Sequence, residues 1–347
     1  MDKSQVNLLV WSGNARMARQ FAMERYLGSP VRELSKRDLR ESGWKGQLRY
    51  MLRLRGKALM IYCESIEDLQ APRLLSCVHF LHRCQETFLV DSSGRQTAYR
   101  SITALLALPG IILSLATDVL VFATSWLVLR LALLCRPSPQ PSGGKGENGS
   151  KIAYLYPYPL DRSMVGGAMS HVRGLLSGLN KVAAVEVFSG RPLALDEVPV
   201  HIVSSRRRFF VFWESLMLLY NLRFGFSVWH SLRKDPPAAI YQRHRRFMVA
   251  GALLSKLLRV PLILEFNSSE RWTADHWDPS RFRSWLGLCE DLSLAVAARI
   301  VVVSEPLRQQ LLAASIPDER ILVNPNGVDP ELFKPGSAGN RCVFNLD

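Results

Sequence analysis

No two cysteines in this sequence have CxxC spacing: the six stand at 63, 77, 84, 135, 289 and 342. That excludes a zinc ribbon and a thioredoxin-type redox pair. So sparse and irregular a set suits a reducing compartment better than a disulfide-stapled fold. The opening MDKSQVNLLVWSG has neither the long apolar run nor the cleavage site of a secretory signal. Acidic residues are in deficit, 30 Asp and Glu against 44 Lys and Arg, for a net charge of +14. Residues 1–100 hold 17 of the basic and 10 of the acidic residues, so half of the excess lies there and half beyond. A spread of this kind fits work near an anionic membrane or on phosphate-bearing substrates. Nucleic acid is not an expected partner, because no helix-turn-helix, zinc or aromatic-rich binding pattern accompanies the charge. Hydrophobic residues make up 48% of the 347, enough for a sizeable core and about two domains.

Residues 1–100 read as a small α/β unit. The apolar runs Val6–Trp11, Ala58–Cys63 and Thr87–Asp91 have the length of buried strands and end in polar or glycine-containing turns. Trp44–Leu54 has helical spacing. Gly13 and Ser92-Ser93-Gly94 follow strands, as ordinary turns or as phosphate loops. Residues 101–135 are different in kind, because Asp118 and Arg130 are their only charges. A stretch so long and apolar is a membrane segment or a pair of buried helices. Pro109-Gly110 interrupts it, and a single span would put Asp118 in hydrocarbon at a cost of about 2.5–3.5 kcal/mol. With basic residues at both flanks, a hairpin dipping into one leaflet is the expected form.

Residues 136–150, RPSPQPSGGKGENGS, are a linker with nothing to pack. Strands then alternate with helices: Lys151–Tyr156, Val182–Phe188, Val198–Val203, Ala239–Gln242, Pro261–Phe266, Ile300–Val303 and Ile321–Val323. The intervening helices are Gly167–Leu179, Arg208–Leu232 with a break near Gly225, Phe247–Leu258, Phe282–Ala298 and Pro306–Ala314. Such alternation implies a parallel, Rossmann-like sheet with right-handed crossovers.

In such sheets ligands bind beyond the carboxyl ends of the strands, so the loops there carry the candidates. Gly166-Gly167 opens a helix whose free N–H groups and positive dipole end face an anion, or it is a plain turn. It is not a GxGxxG fingerprint. Ser170 and His171 sit in that helix's first turn. Arg243 ends a strand and, with Arg245 and Arg246, either clamps a phosphate or sugar acid or begins a solvated basic helix. Glu265 interrupts an apolar strand, where a carboxylate needs an arginine partner or a ligand. Asn267 and Ser268 after it suit sugar hydroxyls. Ser304 reads as a helix N-cap with Pro306 in the first turn.

Together these elements resemble the N-terminal domain of GT-B glycosyltransferases of the family-four or "group 1" type. The segment Asn324-Pro325-Asn326-Gly327-Val328-Asp329, with Phe333 and Pro335, is similar to that family's interdomain link. Gly166-Gly167 with Ser170-His171 resembles its glycine loop, Tyr241-Gln242-Arg243 its Y-x-R strand end, and Glu265-Phe266-Asn267 its E-x-N. Ile300–Ser304 with Glu290 upstream resembles a further stretch. The resemblance covers about residues 151–336. It implies a nucleotide sugar as co-substrate, no cofactor and no obligatory metal. It implies retention of configuration and use on the cytoplasmic face of the membrane. Substrate binding falls to Gly166, Gly167, Ser170, His171, Arg243, Glu265 and Asn267, with His171 and Glu265 as catalytic candidates.

The family's donor site lies in a C-terminal domain with an E-x7-E element, and only Arg341–Asp347 follow the link here. The expectation is therefore an acceptor-side half, needing a separate donor domain to move sugar onto a glycan or lipid-linked acceptor. The alternative is a non-catalytic, membrane-anchored carbohydrate-binding or scaffold protein. The expected organisation is 1–100 small α/β region, 101–135 membrane segment or hairpin, 136–150 linker, 151–335 Rossmann-like domain and 336–347 the start of a C-terminal domain.

Overall fold

The computed structural model describes residues 4–34, 43–66, 69, 75–135, 137–140, 151–159, 167–193, 195, 198–205 and 209–327. Most of the linker, Gly166 and residues 328–347 lie outside them. The chain divides into two compact units, Met1–Thr124 with Arg206–Leu216, and Ser125–Ser205 with Met217–Asp347.

The first unit holds β1 (Val6–Val10), α1 (Ala15–Arg25), β2 (Val31–Leu34), α2 (Gly43–Arg53), β3 (Arg55–Cys63), β4 (Arg83–Asp91) and β5 (Gln96–Tyr99). The sheet order is β2-β1-β3-β4-β5, parallel except for the last pair. Side chains alternate across the strands. Val6, Leu8, Met60 and Tyr62 pack on Ala18 and Ala22 of α1, whereas Leu9, Leu59 and Ile61 face the side carrying Tyr50 and Met51 of α2. The short strands β2 and β5 are too small to register as apolar runs. Ser92-Ser93-Gly94 is an ordinary turn: the Asp91 carboxylate accepts from the Ser93 and Arg95 amides, both at 3.0 Å, and Gly94 takes φ +80°.

His82 makes this unit acid-sensitive. Its Nδ1 accepts the Cys84 amide at 3.1 Å and its Nε2 meets Thr87 Oγ1 at 3.1 Å, an arrangement only a neutral ring satisfies. Burial, helped by His79, lowers its pKa from 6.5 to about 4. A depressed histidine contributes stability that is present above pH 6.5 and lost as pH falls to 4. At about 1.4 kcal/mol per unit, the first sheet should lose about 3 kcal/mol over that window. Hydrogen exchange at the Ile61 and Leu89 amides should show the loss, and His82→Phe should flatten it. A flat profile in the unaltered protein would contradict a buried neutral ring.

The apolar stretch is one helix, α3 (Ser101–Leu134), and not a hairpin. Pro109 lies inside it. A proline removes one backbone hydrogen bond, whereas a reversal would leave several polar groups unpaired among apolar side chains. Among the described residues α3 alone is long and apolar enough to cross a membrane, and little of it is buried. The buried residues form one stripe: Ala104, Ile111, Ser114, Asp118, Phe122 and Leu129. Asp118 is fully buried. It accepts hydrogen bonds from the amides of Val211 at 3.0 Å and Phe212 at 3.3 Å and from the Ser215 hydroxyl. These donors lie just before and within the first turn of the helix that begins at Trp213, so the carboxylate sits at that helix's N-terminus.

The second unit is a seven-stranded, wholly parallel sheet in the order β12-β11-β10-β9-β6-β7-β8. Its elements are β6 (Lys151–Tyr156), α4 (Gly167–Asn180), β7 (Ala184–Ser189), β8 (Val200–Ile202), α5 (Trp213–Leu232), β9 (Ala239–Arg243), α6 (Ala250–Leu258), β10 (Leu262–Phe266), α7 (Glu270–His276), α8 (Arg283–Val296), β11 (Arg299–Val302), α9 (Glu305–Ala313) and β12 (Ile321–Val323). Strands run outward from β6 in one direction and from β9 in the other, so the topological switch lies between those two. Helix α5 begins later than its hydrophobic pattern and runs unbroken through Gly225, where a missing side chain leaves the backbone bonds intact. Ser304 stands at the N-cap of α9 without a side-chain capping bond. Ser269 is the working cap, taking the Trp272 amide at 3.2 Å at the start of α7.

Candidate active site at the sheet switch point

Period-two alternation sends Tyr154 of β6, Tyr241 and Arg243 of β9, and Glu265 of β10 to one face of the sheet. Strand register sets Tyr154 beside Tyr241 and Glu265 beside Arg243. Tyr154 and Tyr241 pack in the same core as Met169, Val172 and Leu176, so α4 covers this face. The first turns of α4 therefore bring His171 down onto the carboxyl ends of the strands.

Glu265 is the hub. Its Oε1 lies 3.1 Å from His171 Nε2 and 3.3 Å from Arg243 Nη1, and accepts from Asn267 Nδ2 at 2.6 Å. It is 1% exposed. Burial pushes the carboxyl up, but the contact with His171 and the charge of Arg243 outweigh it and hold it below its ordinary value of 4.5. Tyr154 and Tyr241 stack with ring centres 5.6 Å apart, and burial pushes both phenols up.

These groups satisfy one another only in part. Tyr154 Oη, His171 Nε2, Arg243 Nη1, Glu265 Oε2 and Asn267 Oδ1 are all buried without a well-aligned hydrogen bond. The His171 and Arg243 contacts are close in distance but off the hydrogen-bond line. Buried polar groups are normally paired, and one orphan costs about 1–3 kcal/mol. Five at one spot are what a pocket for a polar ligand looks like. Both signs of charge are present, with donors and acceptors side by side, which suits a polyhydroxylated molecule.

Of the residues picked from sequence, the structure brings together His171, Arg243, Glu265 and Asn267. Gly167 begins α4, and a side chain added there would meet open space. Ser170 is exposed on α4, outside the buried cluster. Gly166 lies outside the described residues. Arg246 is committed to Glu270 at 2.7 Å and Asp278 at 2.9 Å, and Arg245 lies over the Tyr158 ring. Sequence reading missed Tyr154. Its signal was a tyrosine two residues before Tyr156 on a buried strand, which strand alternation alone makes look like core.

A second network braces the opposite face. Glu290 accepts from Ser269 Oγ at 2.9 Å and the Glu270 amide at 2.7 Å, with His244 Nε2 at 3.4 Å. It fixes the loop that carries Asn267. At the end of β7, Gly190 lets the chain close up, since a Cβ there would stand 2.9 Å from both Pro159 N and Tyr220 Oη.

Residues 165–332 match the profile described as Glycosyltransferase Family 4. This part, a little under half of the chain, is similar to that family. It contains every buried residue of the site except Tyr154, and none of α3 or the first sheet. No curated protein matches the chain. Among solved structures, Anabaena Alr3699/HepE in complex with UDP-glucose is 19% identical, with a TM-score of 0.40, over 55% of this chain and 47% of that one. UDP-N-acetylglucosamine 2-epimerase from Rickettsia bellii is 10% identical, with a TM-score of 0.36, over 50% of this chain and 44% of that one. The chain thus spans less than half the length of either structure.

Proposed function

We propose that the family 4 segment is the acceptor-side half of a retaining glycosyltransferase. It moves a sugar from a nucleotide-sugar donor to a glycan or lipid-linked acceptor at the cytoplasmic face of a membrane. The observation that carries this is the convergence of orphaned polar atoms of Tyr154, His171, Arg243, Glu265 and Asn267 at the switch point of a family 4 sheet. A carboxylate held below its ordinary range is a weak base at neutral pH. Glu265 is therefore suited to gripping acceptor hydroxyls and keeping Arg243 and His171 oriented. The start of α4 offers backbone N–H groups to a leaving phosphate. Donor binding falls to a second, facing domain, in the same polypeptide or another. The reaction needs no cofactor or metal from this half, and the nucleotide sugar is a co-substrate.

The test is transfer of labelled sugar from a panel of nucleotide sugars to extracted membrane lipids and glycans, with a family 4 donor domain supplied. Arg243→Ala and Asn267→Ala each remove a group that meets the ligand. Each should lower kcat/KM about 10–100-fold with the circular dichroism unchanged. Transfer at the unaltered rate in both variants would remove the site from the reaction. Saturable sugar binding without transfer under every condition would instead favour a binding protein.

A further inference from the structure

The placement of Asp118 constrains how α3 can meet a membrane. The helix has 34 residues, about 51 Å at 1.5 Å per residue, and Asp118 stands at its middle, about 25 Å from either end. Were α3 to cross a hydrocarbon layer about 30 Å thick, Asp118 would lie near the midplane. Val211, Phe212 and Ser215, which bond to it, would be carried there too. They flank the start of α5, which holds Glu214 in its first turn and, farther on, Asn221 and the exposed Arg223. A helix with these groups belongs at the water side, because charges in hydrocarbon are costly. The protein-covered stripe runs from Ala104 to Leu129, about 38 Å, and so needs protein along most of the helix. The remaining sides expose Leu106, Ile112, Leu113, Val119, Leu120 and Leu127, each more than half accessible.

Charge names the surface that covers those sides. The helix carries no acid besides buried Asp118. Arg100 precedes it, Arg130 is exposed near its end, and the Arg130 guanidinium lies 5.2 Å from the centre of the Trp126 ring. A cation beside a tryptophan is an interfacial anchor, and unpaired cations suit anionic headgroups.

We propose that α3 lies in the plane of an anionic lipid surface as a monotopic anchor and does not cross the bilayer. The proposal rests on the membrane reading above, and its test separates the two. Full-length protein carrying an environment-sensitive fluorophore on Val119→Cys, with Cys135→Ser and Cys342→Ser, is floated with phosphatidylglycerol-containing vesicles. An in-plane helix sits about 5–10 Å below the headgroups. Nitroxides placed near the headgroup should then quench the probe about twofold more strongly than nitroxides at the acyl-chain ends. In protein that keeps Cys135, a membrane-impermeant maleimide should also reach that thiol and one placed by Ser101→Cys on sealed vesicles. Flotation with deeper quenching, or with one helix end protected, overturns the in-plane arrangement and leaves membrane binding standing. Failure to float overturns both.

Discussion

Glu265→Ala should cost the second unit about 3–5 kcal/mol of unfolding free energy, the range for breaking a buried ion pair from one side. Among the described residues the carboxylate is the one counter-charge to Arg243, whose side chain is 11% exposed, and it also faces His171. Without it a guanidinium is left unpaired in buried surroundings, and Asn267 Nδ2 loses its acceptor. The depressed pKa of Glu265 shows that its surroundings favour the charged form despite burial, so the pairing outweighs desolvation. Glu265→Gln keeps the size and the acceptor oxygen and should cost less, about 1–3 kcal/mol. Urea unfolding of both variants measures the difference. A loss under 1 kcal/mol for the alanine variant would be the signature of a solvated pair, and the cluster could not then be a desolvated pocket.

A second large effect is expected at α3. Leu106, Leu113 and Leu120 are 75%, 59% and 62% exposed and recur every seven residues, so they share one side of the helix. Changing all three to glutamate removes three apolar side chains from the lipid contact, each contributing about 1.5–3 kcal/mol when fully buried. It also sets negative charge against anionic headgroups. Affinity for phosphatidylglycerol-containing vesicles should fall about a thousandfold or more. The buried stripe and Asp118 are untouched, so the fold should persist. Undiminished flotation of the triple variant would mean that α3 is not the lipid contact.

The alternation of apolar runs and helical patterns after Lys151 was enough to predict a parallel α/β sheet, because buried strands and amphipathic helices each impose their own period on the sequence. The same alternation put Arg243 and Glu265 at strand ends, where chemistry-bearing side chains collect. Other features were illegible for definite reasons. Strands β2 and β5 are too short to show a period. Pro109 and Gly225 are helix breakers by local rule, yet in α3 and α5 the packing of the whole helix outweighs one lost bond or one flexible residue.

The composition and patterning of the sequence alone determined the basic balance, the single long apolar segment, the Rossmann-like class and four of the residues that meet at the site. Tertiary structure decided which of those residues come together. Only strand register sets Glu265 beside Arg243 and Tyr154 beside Tyr241, and only the approach of α4 adds His171. It also decided the fate of Asp118. In sequence that residue is a charge stranded among leucines, and what makes its burial tolerable is a set of donors more than ninety residues away. Hydrophobic periodicity is local and can be read along a chain, whereas the partner of a buried charge is set by long-range packing.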